Sequence, residues 1–355
     1  MTSVSDRSHE VSTLAAVRNA ADQLGQHPQD HGWRGIYQLI GHGLANSAPL
    51  LRQLVLEHQD IRDSSATHLI TLLGISLKIV AIDLLDKVRS TTKVESCLDA
   101  LESALAEHGE QIGIILRSRR NSFTGARRFL VPQVLLGAYF AHDEFVDFAD
   151  LGTGLGVLPR QLNARRLYDT FKTGLRWADG TPPFRPIPLR SRFGVDHGPL
   201  PQIDWVRACY GTSSYYDGLY RELLDTVNDP DVRASDVRYA ELDLVDSDAL
   251  RAFIRRHHVN AVNLSYALYE LAPASRAEVV DTLLDALSPP GVVIVTEPHA
   301  ELTRPGCTVT FHDQHSAGPK SVLRVSDGHF TGRVEPLADY EWFTAAHPIT
   351  YEPAG

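Results

Sequence analysis

Three glycines at alternate positions, Gly152, Gly154 and Gly156, follow directly on the β-prone run Glu144–Asp150 (EFVDFAD). Glycine reaches left-handed dihedrals and lets a ligand approach the backbone closely. A strand that runs through such a turn into a helix presents the turn at the carboxyl end of a sheet, where open α/β folds bind small molecules. A dinucleotide fingerprint would carry its third glycine one place later, where Val157 stands. The Gly-Lys-Ser/Thr of a phosphate-cradling loop is also absent, so the turn suits a ligand without phosphates. Asp150 matches an ammonium group, and the loop amides at the helix start match a carboxylate. A glycine-rich turn with no ligand is the competing reading.

The residues around the turn support an alternation of strand and helix. Val237–Leu242, Val259–Ser265 and Gly291–Glu297 read as strands, the last an apolar β-branched run suited to a buried parallel sheet. Tyr215–Val227, Ser247–His257 and Pro273–Leu287 read as the helices between them. Such alternation implies right-handed crossovers and a doubly wound sheet. Cys307–His312 and Ser321–Val325 follow without a helix, so they are expected as an antiparallel hairpin. From Ser12 to Leu116, by contrast, apolar residues recur at three and four, as in Leu50, Leu51, Leu54 and Val55, and a helix is expected from Cys97 to His108. The expected division is a helical N-terminal cap domain, 1–128, and an α/β domain, 129–355. The stretch Arg165–Arg192, basic and rich in proline and aromatic residues, fits neither pattern. It reads either as a lid or binding loop or as a solvated surface excursion.

The run DLGTGLG resembles motif I of the class I S-adenosylmethionine (SAM)-dependent methyltransferases. Arg119-Arg120-Asn121, the basic stretch and RFGVDHGP further resemble a bacterial methyltransferase-like family with a helical N-terminal region. The resemblance spans roughly residues 130–340 at the level of the fold. It implies a Rossmann-like, seven-stranded sheet behind the helical domain, with SAM as cofactor. Cofactor contacts then fall on Asp150, Gly152, Thr153, Gly154, Gly156, Asp196, Asp243, Leu244 and Ser265. Asp196 would meet the ribose hydroxyls, although it stands forty residues past Gly156, where about twenty is ordinary. Asp243 would meet the adenine amino group, or else cap the helix that starts near Asp246. Ser265 and Tyr266, after the fourth strand, would face the sulfonium and the acceptor, or merely pack at a strand end.

The chemistry implied is transfer of a methyl group to a small-molecule acceptor of the secondary-metabolite type. Candidate catalytic residues are Tyr266, Ser265, Asn121 and His142, with His197 and His299 as further possible bases and Tyr210 as a second ring to face the cationic sulfur. Two alternatives stand beside methyl transfer: transfer or cyclisation of the aminocarboxypropyl arm with release of methylthioadenosine, and a non-catalytic binding module. The charge balance, 34 Lys and Arg against 44 Asp and Glu for a net −10, offers no cationic field to nucleic acid or an anionic membrane. Cys97, Cys209 and Cys307 form no CxxC pair, which argues against a structural zinc site or a disulfide framework. His312 and His315 lack an obvious third ligand, and no metal is expected. No Gly-x-Ser-x-Gly elbow points to a serine hydrolase. Met1–Val11 is polar, unlike a secretory signal, so a cytoplasmic protein is expected, as a monomer or homodimer.

Overall fold

The computed structural model describes residues 4–25, 31–59, 65–143, 145–178, 180–298, 306–314, 316, 318–349 and 351. The chain divides into two compact units, and the first is discontinuous: Met1–Phe123 with Ile203–Tyr220 and Tyr269–Ala272. The second unit comprises Thr124–Gln202, Arg221–Leu268 and Pro273–Gly355. The boundary expected at 128/129 therefore misses two later segments that belong with the helices.

The first unit packs the helices Val4–Leu24, His31–Ala45, Pro49–His58, Ala66–Val80, Ile82–Ser90 and Leu98–Ser118 around one apolar core. The last of these buries Leu101, Leu105, Ile112 and Leu116, a three-and-four spacing that lays one stripe against the core. Ser65 starts the helix Ala66–Val80: its hydroxyl accepts the His68 N–H and donates to the Tyr269 carbonyl. That helix and Ile82–Ser90 meet at a 101° bend at Ala81, and among the described residues no single helix is long and apolar enough to cross a membrane. Trp205 and Cys209, from the inserted segment, complete the same core.

The second unit is α/β, built on a mixed sheet with nine strands among the described residues rather than the seven expected. The strands are β1 (Val146–Leu151), β2 (Arg176–Trp177), β3 (Leu189–Asp196), β4 (Arg238–Glu241), β5 (Ala261–Ser265), β6 (Val292–Pro298), β7 (Cys307–Asp313), β8 (Lys320–Val325) and β9 (Arg333–Pro336). Their order is β2-β9-β8-β7-β6-β5-β1-β3-β4. Strands β4, β3, β1, β5 and β6 run parallel, and β7 and β8 follow antiparallel as the expected hairpin. The two unforeseen strands are short: β2 has two residues and pairs with β9. Two residues are too few to display a period of two, and the four of β9 stand at the shortest length at which one shows.

From β1 the chain builds outward through β3 and β4 on one side and through β5 and β6 on the other. The carboxyl ends of β1 and β5 thus flank the point where the winding reverses, which leaves a crevice there. Register sets what faces it. Tyr239, Gly194, Asp150, Asn263 and Ile294 lie in one cross-strand row, so their side chains share one face of the sheet. Below this row Val146, Phe148, Ala261 and Val292 join the apolar core, together with the wholly buried helix Leu130–Tyr139. This face of the sheet is apolar towards its amino end and turns polar at the row that borders the crevice.

The basic stretch is less irregular than its composition suggested. It holds the short helix Arg165–Phe171 and the start of β3, and its charges are largely answered within the unit. Arg190 pairs with buried Asp147, Arg166 with buried Asp229, and Arg165 and Lys172 with Asp169. Arg185 donates to the Pro348 carbonyl at 2.7 Å. These contacts fit a structural buttress better than a ligand-binding lid.

Candidate functional site

All three glycines of the turn after β1 are left-handed, with φ of 71° at Gly152, 56° at Gly154 and 69° at Gly156. Side chains rarely adopt these dihedrals, so the alternation of glycine is a backbone requirement. Two of the positions are also crowded: a Cβ at Gly152 would come within 2.6 Å of the Ala267 Cβ, and one at Gly156 within 2.4 Å of the Tyr239 ring. The turn is held between the loop after β5 and a tyrosine on β4.

The amides of this turn are spoken for. Gly152 and Thr153 both donate to the Val195 carbonyl, Gly154 to Asp196 Oδ2 at 2.8 Å, Leu155 to the Thr124 hydroxyl and Gly156 to the Thr153 carbonyl. The helix that follows, Leu158–Gln161, is a single turn. The expectation that loop amides and a helix N-terminus would hold a ligand carboxylate is therefore corrected. Hydrogen bonding turns those donors inward to fix the loop, and an anionic group at this crevice needs another cation.

Asp150 is buried on β1 beneath the turn. Asn263, its register partner on β5, donates to Oδ1 at 2.7 Å, and the Thr153 hydroxyl donates to Oδ2 at 2.7 Å. Burial pushes its carboxyl up to about 6, against the pull of those two hydrogen bonds and of Arg128, while the nearby Asp196 charge adds to the rise. Thr153 thus supports Asp150 through its side chain instead of facing outward. Asp196, at the end of β3, accepts its own neighbour's amide, from His197, on Oδ1 at 2.8 Å, and the Gly154 amide on Oδ2. The unusual spacing before Asp196 is filled by the buttress described above.

Asp243 sits in the loop after β4, with Leu244 beside it in a half-buried turn. Its Oδ1 accepts the Val245 amide at 3.3 Å and its Oδ2 lies 3.0 Å from His197 Nε2. The helix Ser247–Arg256 is capped by Asp246, which accepts the Ala249 amide. The capping alternative for Asp243 is thereby removed.

At the end of β5, Ser265 Oγ is buried without a hydrogen-bond partner among the described residues, as is Asn263 Oδ1. A buried polar atom left open in this way calls for a partner such as a water or a ligand. Tyr266 is strained, a non-glycine residue at φ 58°. Its ring carries the Arg128 guanidinium 4.2 Å from its centroid, and its hydroxyl is packed so close to Gly328 that a Cβ there would be 2.5 Å away. Burial holds that phenol well above its ordinary range, followed by the nearby Cys307 thiol. Tyr266 thus directs its hydroxyl into the core, away from the proton-transfer role its position suggested. The next residues are anchored by Glu297 on β6, whose Oε1 accepts the Ala267 and Leu268 amides at 3.1 and 2.8 Å.

Other expected residues lie elsewhere. His142 is exposed in the turn that leads into β1, at the amino end of the strand and opposite the crevice, so it is not a base for chemistry there. His197 is at the end of β3, two strands from β5, roughly 10 Å away across the sheet. Asn121 belongs to the helical unit, where its Nδ2 donates to the Tyr269 hydroxyl at 3.0 Å. Tyr210 is in the same unit, buried, with its ring 4.2 Å from that of Phe123. His299 and His315 lie outside the described residues.

Three contributors escaped the sequence. Arg128 brings a cation to Tyr266 and Asp150, yet nothing marks it in a stretch with Arg127 beside it. Tyr239 on β4 donates to the Gly156 carbonyl and accepts from Arg160 Nε at 2.7 Å, its ring lying over Gly194. Thr124 takes the Leu155 amide. Tyr239 and Thr124 act through partners distant in sequence, and only Gly194, two residues before the strand-end Asp196, offered a hint of a neighbour lying across the sheet. In comparisons with known proteins, no family model matches the chain and no curated protein matches it.

Proposed function

We propose that the α/β unit binds SAM at the carboxyl ends of β1, β3, β4 and β5, and that the protein is a SAM-dependent transferase moving a methyl group to a small-molecule acceptor. The observation that carries this reading is the turn of three left-handed glycines between two acids. Asp150 is buried beneath the turn, and Asp196 on the neighbouring strand accepts the Gly154 amide. That arrangement fits a ligand with an ammonium group and a ribose but no phosphate.

Each part of such a ligand finds a counterpart. Asp150 attracts the ammonium, and Asp196, at the end of β3 beside the turn, accepts from the ribose hydroxyls. Asp243 accepts from the adenine amino group. The carboxylate, which the loop amides do not serve, falls to Arg128, whose guanidinium offers a planar set of donors. Open Ser265 Oγ and Asn263 Oδ1 supply polar contacts at the reversal of the sheet. When bound, SAM brings an electrophilic carbon on a sulfonium, whose departure as a thioether needs no acid. The protein's own task is then to orient the acceptor in line and exclude water.

Two experiments test this. Replacing Arg128 by Gln is expected to weaken S-adenosylhomocysteine at least about tenfold, the cost of losing a charged hydrogen-bonding partner. The same change should leave methylthioadenosine, which lacks the amino acid arm, nearly unaffected; equal losses for both would remove Arg128 from its assigned role. Incubation with SAM, alone and with candidate acceptors, is expected to yield S-adenosylhomocysteine only when an acceptor is present. Methylthioadenosine formed from SAM alone, faster than without enzyme, would replace methyl transfer by chemistry on the aminocarboxypropyl arm.

A further inference from the structure

We infer that His197 is a positioning residue that makes the nucleoside end of the crevice selective for a purine bearing a 6-amino group, an inference that rests on reading the crevice as a SAM site. His197 Nε2 lies 3.0 Å from Asp243 Oδ2. A carboxylate only accepts, so Nε2 carries the hydrogen. The Val245 amide occupies Oδ1 at 3.3 Å. Donors from two different loops therefore grip the two oxygens and set the plane of the carboxylate.

His197 is itself anchored. Its amide donates to Asp196 Oδ1, and Asp196 Oδ2 takes the Gly154 amide. Gly154, Asp196, His197 and Asp243 thus form one chain of contacts across the ends of β1, β3 and β4. Both side chains of the His197–Asp243 pair are 35% exposed, so packing alone does not fix the acid. An exposed side chain with free rotamers gives up entropy when a ligand orders it, and the imidazole meets that cost beforehand.

An acid fixed in this way favours a donor. The lone pairs left on Asp243 can accept from a 6-amino group. They face an acceptor with no proton to share when the purine carries a 6-oxo group, and a mismatch of that kind is heavily penalised in a partly desolvated site. The backbone does not depend on the imidazole, because the Leu242 amide separately donates to the Asp196 carbonyl at 2.8 Å. Removing the imidazole should therefore leave β3 and β4 joined.

Calorimetric dissociation constants for S-adenosylhomocysteine and its 6-oxo counterpart, S-inosylhomocysteine, test the inference on the full chain. The unaltered protein should prefer the amino ligand. His197→Ala should weaken that ligand about tenfold, a loss typical of one hydrogen-bonding contact, and change the 6-oxo ligand little. His197→Gln, which restores an N–H donor, should recover most of the loss. Equal weakening of both ligands would mean a structural role only, and no weakening would exclude any role; either overturns the inference while leaving the SAM reading intact. Failure of the unaltered protein to bind either ligand would remove both.

Discussion

Asp150 is the residue on which stability and the proposed ligand binding would pull in opposite directions. Its carboxyl rises from 3.8 to about 6 through burial. The native state therefore holds a proton that the unfolded chain releases between those values. Stability from this group is greatest below pH 4 and is lost as pH climbs through about 6, a cost of about 3 kcal/mol at neutral pH. The ionised form that the fold disfavours is the one that attracts an ammonium. Affinity for S-adenosylhomocysteine is therefore expected to rise about tenfold from pH 5 to pH 7, following the ionised fraction of a group titrating near 6. Methylthioadenosine, with no ammonium, should show no such trend. Calorimetry of both ligands across that range checks the sign, and an affinity for S-adenosylhomocysteine independent of pH would take Asp150 out of direct contact with the ligand.

At the scale of the element, the turn after β1 is a backbone device clamped from both sides by Ala267 and Tyr239. Gly194 makes room for that clamp. A Cβ there would stand 2.7 Å from the Tyr239 ring and 3.2 Å from the Thr153 methyl group. Gly194→Ala is expected to cost about 1–3 kcal/mol, as overpacking does, and to loosen the turn by displacing Tyr239. Thermal denaturation and a ligand titration of that variant measure the two effects, and wild-type values for both would show that the ring yields freely. These elements differ in how far the sequence exposes them. Strand β6 opens with four consecutive buried apolar residues, Val292–Val295, and the turn announces itself through glycine alternation. Tyr239 is silent because its role depends on its register opposite Gly194. Arg128 is silent because a guanidinium among several others carries no periodicity. His142 misled because nearness to the turn in sequence placed it at the wrong end of β1.

For the whole molecule, the decisive property is that the helical unit is not a simple N-terminal domain. Trp205 and Cys209 belong to its core, the Trp205 indole donates to the Arg120 carbonyl at 2.9 Å, and the Ser122 amide meets Cys209 Sγ. These segments enter from loops of the α/β half, after β3 and β5, which periodicity within residues 1–128 has no means to reveal. A fragment ending at residue 128 is therefore expected to lack a cooperative thermal transition and to bind a hydrophobic dye. A sharp transition matching that of the full chain would contradict this division. The central proposal is that the crevice of the sheet holds SAM. Titration of the intact protein with S-adenosylhomocysteine in a calorimeter is the direct test: saturable binding at one site is expected, and no heat of binding at millimolar ligand would rule out a SAM site.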